Sequence, residues 1–446
     1  MSTRRTKIIA TIGPAQDPEG ALERLLDSGV DVLRVNLSHA GPRDQAARVK
    51  RARAHRPDIA ILADLAGPKL RLDNLPEDIR IKEGESLILG AGGVPIGDHS
   101  LFDRVRLGDP IFIADGTIDL VVTEVWTDRV TCRVRVGGTL RSRKGINLPL
   151  DDSSLPALTG KDRADLAEID LLTPDFVALS YVRHERDIIE VRQLTGLPIC
   201  AKIEKQQALE RLEAIVEAAD VIMVARGDLG VEIPIERVPA TQKRVIRVAN
   251  RAGRPVITAT QMLVSMVTNS LPTRAEVTDV ANAVLDGTDL VMLSEETAVG
   301  HDPVGVVHMM GRLLAETEPL LQPHEGPSRA LEANALAHAA ATLADDLDAA
   351  AIVVPTRTGI SAQRLAAFRP HRPILAYSRV PETTRRLHMV WGVSSINLQV
   401  PPGLDPLHAT LEAARRDLPP GSRAVVLDIA AEGVVGVPSL VNAIRF

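Results

Sequence analysis

Short apolar runs and segments of helical period take turns along most of the chain. The apolar runs lie at 7–13, 30–39 and 58–67, then at 176–183, 198–203, 221–230, 255–263 and 290–298, eight in all. Each is dense in Ile, Val, Leu and Ala, as strands covered on both faces are. Between them, 21–28, 186–195, 208–219, 241–252 and 274–286 carry apolar residues three and four apart, the spacing of a helix with one buried face. Eight strand–helix repeats predict an α/β fold, a (β/α)8 TIM barrel, with an open doubly wound sheet as the competing arrangement. The polar residues favour the barrel, because they gather at the ends of the runs, where barrel loops build a site.

Two stretches break the pattern. From 72 to 149, and above all at 79–89 and 111–136, Ile, Val and Thr partly alternate and are punctuated by Gly and Asp. That predicts a small β-barrel domain inserted after the third strand. After an alanine-rich helical stretch at 303–347, apolar runs return at 351–355, 373–377, 393–399 and 424–429, with a helix at 361–368. The expected domains are therefore a barrel in two parts (1–71 and 150–325), the insert (72–149) and a C-terminal α/β domain (326–446).

Composition narrows the function classes. Aromatic residues are only 2% of the chain, so the core must rest on aliphatic side chains. The net charge of −6 carries no basic stripe, which argues against a nucleic-acid partner. Cys132 and Cys200 cannot build a disulfide framework, and no run approaches the roughly 18 apolar residues of a membrane span. With an N-terminus that leads straight into a strand pattern, the chain reads as cytoplasmic.

The strand ends carry the candidate chemistry. Residues two apart in a strand share a face, so Lys202 and Glu204 point together, as an anion-stabilising lysine beside a metal-binding carboxylate or as a plain ion pair. Asp228 lies between glycines at the end of the sixth run and reads as an exposed carboxylate; with Glu204 it offers Mg²⁺ two oxygens and open positions. Thr260 ends the seventh run with a hydroxyl that either relays a proton or satisfies the backbone. Arg34, Asn36 and Ser38 share a face of the second strand, a costly inward placement unless partnered, and Asp64 ends the third. Near the C-terminal helix, Thr356, Thr358, Gly359 and Ser361 form either an anion-binding turn or simple capping.

The segments TKIIATIGP, RVNLSH, DLAGPKLR, KGINLP, AKIE, VARGDLGVEIP, TATQML and PTRAEVTDVANAVLDGTD, in this order, closely resemble the pyruvate kinase family. The resemblance implies phosphoryl transfer from phosphoenolpyruvate to ADP with Mg²⁺ or Mn²⁺. It assigns enolate stabilisation to Lys202 and metal ligation to Glu204 and Asp228. The substrate carboxylate would fall to the Gly227–Asp228 backbone and Thr260, and phosphoryl neutralisation to Arg34. Asn36, His39, Arg71 and Lys161 would lie on the nucleotide side. Asn36, Ser38, Asp64 and the Leu65 carbonyl would surround a monovalent cation. Lys69 stands where many relatives carry glutamate, and its ammonium is expected to replace that ion, so that K⁺ is not required. Glu295 replaces a usual small residue; strand alternation would turn it to solvent, whereas a bent loop would place its charge near bound phosphates and weaken them. The resemblance further implies a homotetramer and a phosphorylated effector bound at 356–361. A catalytically silent relative, or a Mg²⁺-dependent lyase or aldolase acting on pyruvate enolates, would share part of this set.

Overall fold

The computed structural model describes residues 4–38, 40–114, 116–148, 156–321, 326–400, 405–429 and 439–446. Eight parallel strands close into a barrel: β1 (Lys7–Thr11), β2 (Val32–Asn36), β3 (Ala60–Asp64), β12 (Phe176–Leu179), β13 (Ile199–Ile203), β14 (Val221–Ala225), β15 (Val256–Ala259) and β16 (Leu290–Leu293). β3 pairs directly with β12, Leu62 opposite Phe176, and β1 closes the ring on β16.

The two faces of each strand have different tasks. On β13, Ile199, Ala201 and Ile203 pack outward in the layer shared with the helices, while Cys200 joins the inner cluster with Ile9, Val32, Leu62, Met223 and Met292. Moving two residues up that inner face leads from Cys200 to Lys202, from Leu62 to Asp64 and from Val32 to Arg34. The lumen is thus aliphatic below and ionic above, which locates the site at the C-terminal ends of the strands. With few aromatic residues, branched and sulfur-containing side chains fill the lower lumen, and Met389 of the C-terminal region plugs it from beneath.

The runs at 221–230 and 290–298 are shorter strands than the sequence suggests. A helix Arg226–Glu232 follows β14 at once, and a helical turn Glu295–Ala298 follows β16. The second change has a visible cause: the buried Glu296 carboxylate accepts the backbone N–H groups of Ser294 at 2.7 Å and Leu263 at 3.2 Å, bending the chain out of the strand. Glu295 does face solvent, through this turn rather than through strand alternation. The stretch at 208–219 divides at Arg211 into helices Gln206–Glu210 and Leu212–Ala218.

The insert is a half-barrel. Six antiparallel strands run in the order β4 (Leu70–Arg71), β11 (Gly145–Asn147), β7 (Pro110–Ile113), β8 (Ile118–Val125), β9 (Arg129–Val136) and β6 (Ser86–Gly90). A two-stranded companion pairs β5 (Ile79–Ile81) with β10 (Gly138–Leu140). Leu89, Ile111, Leu120 and Val134 form its own core. The C-terminal sheet is ordered β19 (Val393–Asn397), β18 (Ile374–Ser378), β17 (Ala351–Pro355), β20 (Arg423–Asp428) and β21 (Leu440–Arg445), the last antiparallel. It docks beneath the barrel: Arg53 and Arg385 share buried Asp175 at 2.7 and 2.8 Å, and the guanidinium groups of Arg5 and Arg369 both lie over the Trp391 ring.

Candidate active site

At the top of the lumen the inward positions of β2, β3 and β13 meet. Lys202 Nζ lies 2.8 Å from Glu204 Oε1, 3.3 Å from Asp64 Oδ1 and 2.8 Å from Ser180 Oγ. Asp64 Oδ2 accepts Arg34 Nε at 2.7 Å, and Arg34 Nη1 donates to Thr11 Oγ1 at 3.1 Å. All four ionic side chains are buried. Burial opposes the charge on Lys202, but Asp64 and Glu204 outweigh it and hold the ammonium well above the ordinary lysine range. Asp64 is likewise held below its ordinary range, because Lys202 and Arg34 overcome its desolvation. Glu204 moves the other way: burial, helped by nearby Asp228, raises it despite Lys202.

Asp228 is less exposed than its glycine neighbours suggest. It sits in the first turn of the helix Arg226–Glu232 with its side chain 18% exposed. Its Oδ1 accepts Lys69 Nζ at 2.6 Å and Asn147 Nδ2 at 3.4 Å. Burial pushes its carboxyl up, and Lys69 more than reverses this. Lys69 therefore contacts Asp228, whereas Asp64 is engaged by Arg34 and Lys202.

The Thr260 turn is held under strain. Thr260 and Gln261 have φ values of 69° and 55°, unusual for a β-branched residue and its neighbour. Arg226 fixes them by donating to Thr260 O at 2.7 Å and Ala259 O at 3.3 Å while paired with Asp279. Thr260 Oγ1 accepts the Gly227 N–H at 2.8 Å, joining two segments that sequence reading had linked only by analogy.

The remaining positions spread outward. Asn36 Oδ1 accepts the Ser38 N–H at 3.0 Å, and the Leu65 carbonyl accepts Ser180 Oγ at 2.8 Å. Lys161 Nζ reaches the Leu37 carbonyl at 2.8 Å and Asp165. Arg71, at the base of the insert, donates to Arg143 O. His39 lies outside the described residues. In the C-terminal region, Thr356, Thr358 and Ser361 line a cavity of about 550 Å³ with Arg357, Arg364 and Arg379. Gly359 instead takes φ 87° and donates its N–H to Thr356 Oγ1.

Sequence reading missed Thr11, Ser180, Asn147 and Arg226. Each is a polar residue within or beside a quoted motif or at a strand end, but nothing in the spacing said which way it pointed. Among the described residues no group of three or more His, Cys, Asp or Glu side chains converges as a metal cage. Glu204 and Asp228 nonetheless fit a substrate-bridging Mg²⁺, which keeps few protein ligands. Glu204 Oε1 is buried against the Lys202 ammonium at 2.8 Å, and its Oε2 accepts the Tyr181 N–H at 2.8 Å.

Two family models match most of the chain. The model for the pyruvate kinase barrel domain matches residues 3–307, and that for the pyruvate kinase alpha/beta domain matches 334–431. The chain belongs to the pyruvate kinase family. A pyruvate kinase of Methylorubrum extorquens is 40% identical, with 99% of this chain and 97% of the relative covered. One from Mycobacterium tuberculosis is 39% identical over 99% of this chain and 98% of its own length. One from Geobacillus stearothermophilus is 41% identical over 87% and 71%. Family membership over both regions leaves the lyase and aldolase alternatives without support.

Proposed function

We propose that this member of the pyruvate kinase family transfers the phosphoryl group of phosphoenolpyruvate to ADP, giving pyruvate and ATP. The observation that carries the reading is the ionic cluster of Lys202, Glu204, Asp64 and Arg34 at the top of the lumen. Phosphoryl transfer asks the protein for positioning and charge neutralisation rather than covalent chemistry. Lys202, kept as an ammonium by two carboxylates, steadies the enolate oxygen as the phosphoryl leaves. Arg34 neutralises the phosphoryl oxygens. Thr260, in its fixed turn, orients the substrate carboxylate and lies on the proton path to the methylene carbon. Glu204 and Asp228 would hold Mg²⁺ or Mn²⁺, which when bound would supply positive charge to offset the developing negative charge of the transfer. Arg71, Lys161, Asn36 and His39 serve the nucleotide, and the insert, taken as 72–149, excludes water from it.

The same reading carries turnover without K⁺. Its support is the ammonium of Lys69, seated beside Asp228 at the edge of the site, where many relatives carry glutamate. It also carries a phosphorylated effector in the cavity of the C-terminal domain (326–446), for which three arginines and three hydroxyls provide the chemistry. A cytoplasmic homotetramer completes it, with exposed Ile235 and Leu271 as apolar surface for a neighbouring copy.

The deciding experiment is a coupled assay of pyruvate formation from phosphoenolpyruvate and ADP with Mg²⁺, with and without K⁺. Activity should appear without K⁺ and fall by about 10³-fold in Lys202→Met. A many-fold rise on adding K⁺ would remove the role given to Lys69. A folded but inactive protein under every condition would favour the catalytically silent reading.

A further inference from the structure

Two segments connect the insert to the barrel, and both end on one oxygen. The first leaves β3 through Gly67 and brings Lys69 to Asp228 Oδ1 at 2.6 Å; the second, β11, brings Asn147 to the same atom at 3.4 Å. Neither contact is on a loose surface: the Lys69 and Asp228 side chains are 17% and 18% exposed. Glycines set the path. Gly67 has φ 68°, and a Cβ there would stand 2.8 Å from Ser180 Cβ. Lys69 then crosses the backbone of Gly145 so closely that a Cβ on that residue would lie 2.5 Å from Lys69 Cε. The two segments are also paired with each other, Arg71 opposite Gly145.

Charge balance gives this contact a meaning. At the top of the lumen Glu204 faces Lys202 and Asp64 faces Arg34, while Asp228 faces Lys69. A divalent ion arriving at Asp228 meets an ammonium already on the carboxylate.

We propose that Lys69 is a built-in counter-ion for Asp228, which a divalent cation must displace, so that metal binding at Asp228 unties both connections of the insert at once. The proposal rests on the reading of Asp228 as a metal ligand. Ammonium and metal compete for Oδ1, and linkage makes the competition reciprocal: whatever draws Lys69 away tightens the metal, and the metal loosens Lys69. Phosphorylated substrates, bringing their own negative charge, complete the exchange by compensating both cations.

The test is Mn²⁺ binding to the full-length protein, followed by electron paramagnetic resonance without substrate, so that turnover plays no part. Lys69→Met should bind Mn²⁺ about tenfold more tightly or better, the scale of a hydrogen bond to a charged group. Lys69→Arg should stay near wild type. Gly145→Ala, which keeps the lysine but fills the space its stem crosses, should also bind more tightly; it serves if Lys69→Met folds poorly. Equal affinity in wild type, Lys69→Met and Gly145→Ala would overturn the counter-ion. No Mn²⁺ binding in folded wild type, even with phosphoenolpyruvate, would overturn the metal reading itself and the proposal with it.

Discussion

Lys202 illustrates how a residue's chemistry is made by its neighbours. A lysine this deeply buried would ordinarily lose its proton; Asp64 and Glu204 reverse that tendency. Because its pKa is raised, the ammonium persists through neutral pH and is lost only as pH climbs through the raised value. Asp64→Asn removes one of the two supporting charges and the partner of Arg34. The variant should lose on the order of 10²-fold in kcat, and the alkaline limb of its pH–rate profile should move toward neutral. An unchanged alkaline limb would mean that Asp64 does not set the charge state. The pairing of Lys202 with Glu204 could be read from their separation of two. The fourfold meeting with Asp64 and Arg34 could not, since it depends on which strands become neighbours.

At the scale of elements, strands were more legible than the turns at their C-terminal ends. Aliphatic runs announce a strand buried on both faces, and β13 falls close to its expected bounds, whereas β15 ends at Ala259, four residues short of its run. The runs ending near 230 and 298 look alike in composition, yet the chain turns helical there, with Arg226 bonded to Thr260 O and Glu296 to the Leu263 N–H as well as to that of Ser294. The contacts to Thr260 and Leu263 are long-range and leave no local period. Arg226 is the clearest case, holding the left-handed turn in place through the Ala259 and Thr260 carbonyls. Strain of this kind persists only when the surroundings over-determine it. Arg226→Ala should therefore let the Thr260 turn relax and lower kcat by roughly 10²-fold, the cost of a misplacement of about 1 Å. Parallel crystal structures would show φ at Thr260 returning to negative values; an unchanged turn would deny Arg226 its positioning role.

For the whole molecule, the order of barrel, insert and C-terminal region was readable because each has its own hydrophobic rhythm. How they dock was not, since the contacts are single charges far apart in sequence. Asp31 is an example at the barrel floor. It accepts Arg4 at 2.8 Å and the Ile8 N–H at 2.8 Å, beside Lys7, whose Nζ reaches the Val393 carbonyl of the C-terminal sheet. Burial would raise its carboxyl, but Lys7 and Arg4 prevail and hold it below the ordinary range. A depressed carboxyl contributes stability above its unfolded value of about 3.9, lost as pH falls through the lower folded value. Melting temperature should thus fall more steeply below about pH 4 in wild type than in Asp31→Asn, which should already be less stable at pH 7. Parallel curves would show that Asp31 is not coupled to docking.

The insert has a consequence for assembly of the barrel. Its entry and exit, β4 and β11, are hydrogen-bonded neighbours, while β3 and β12 pair across it. An unfolded excursion of that length would burden ring closure with the entropy of a long loop. Once the insert has formed its own sheet, its ends are held one strand spacing apart, about 4.8 Å. The detour between the third and fourth strands is then reduced to the segments outside the insert, among them the helix Gly160–Ala167. Most of a long interruption in sequence drops out of the search for closure.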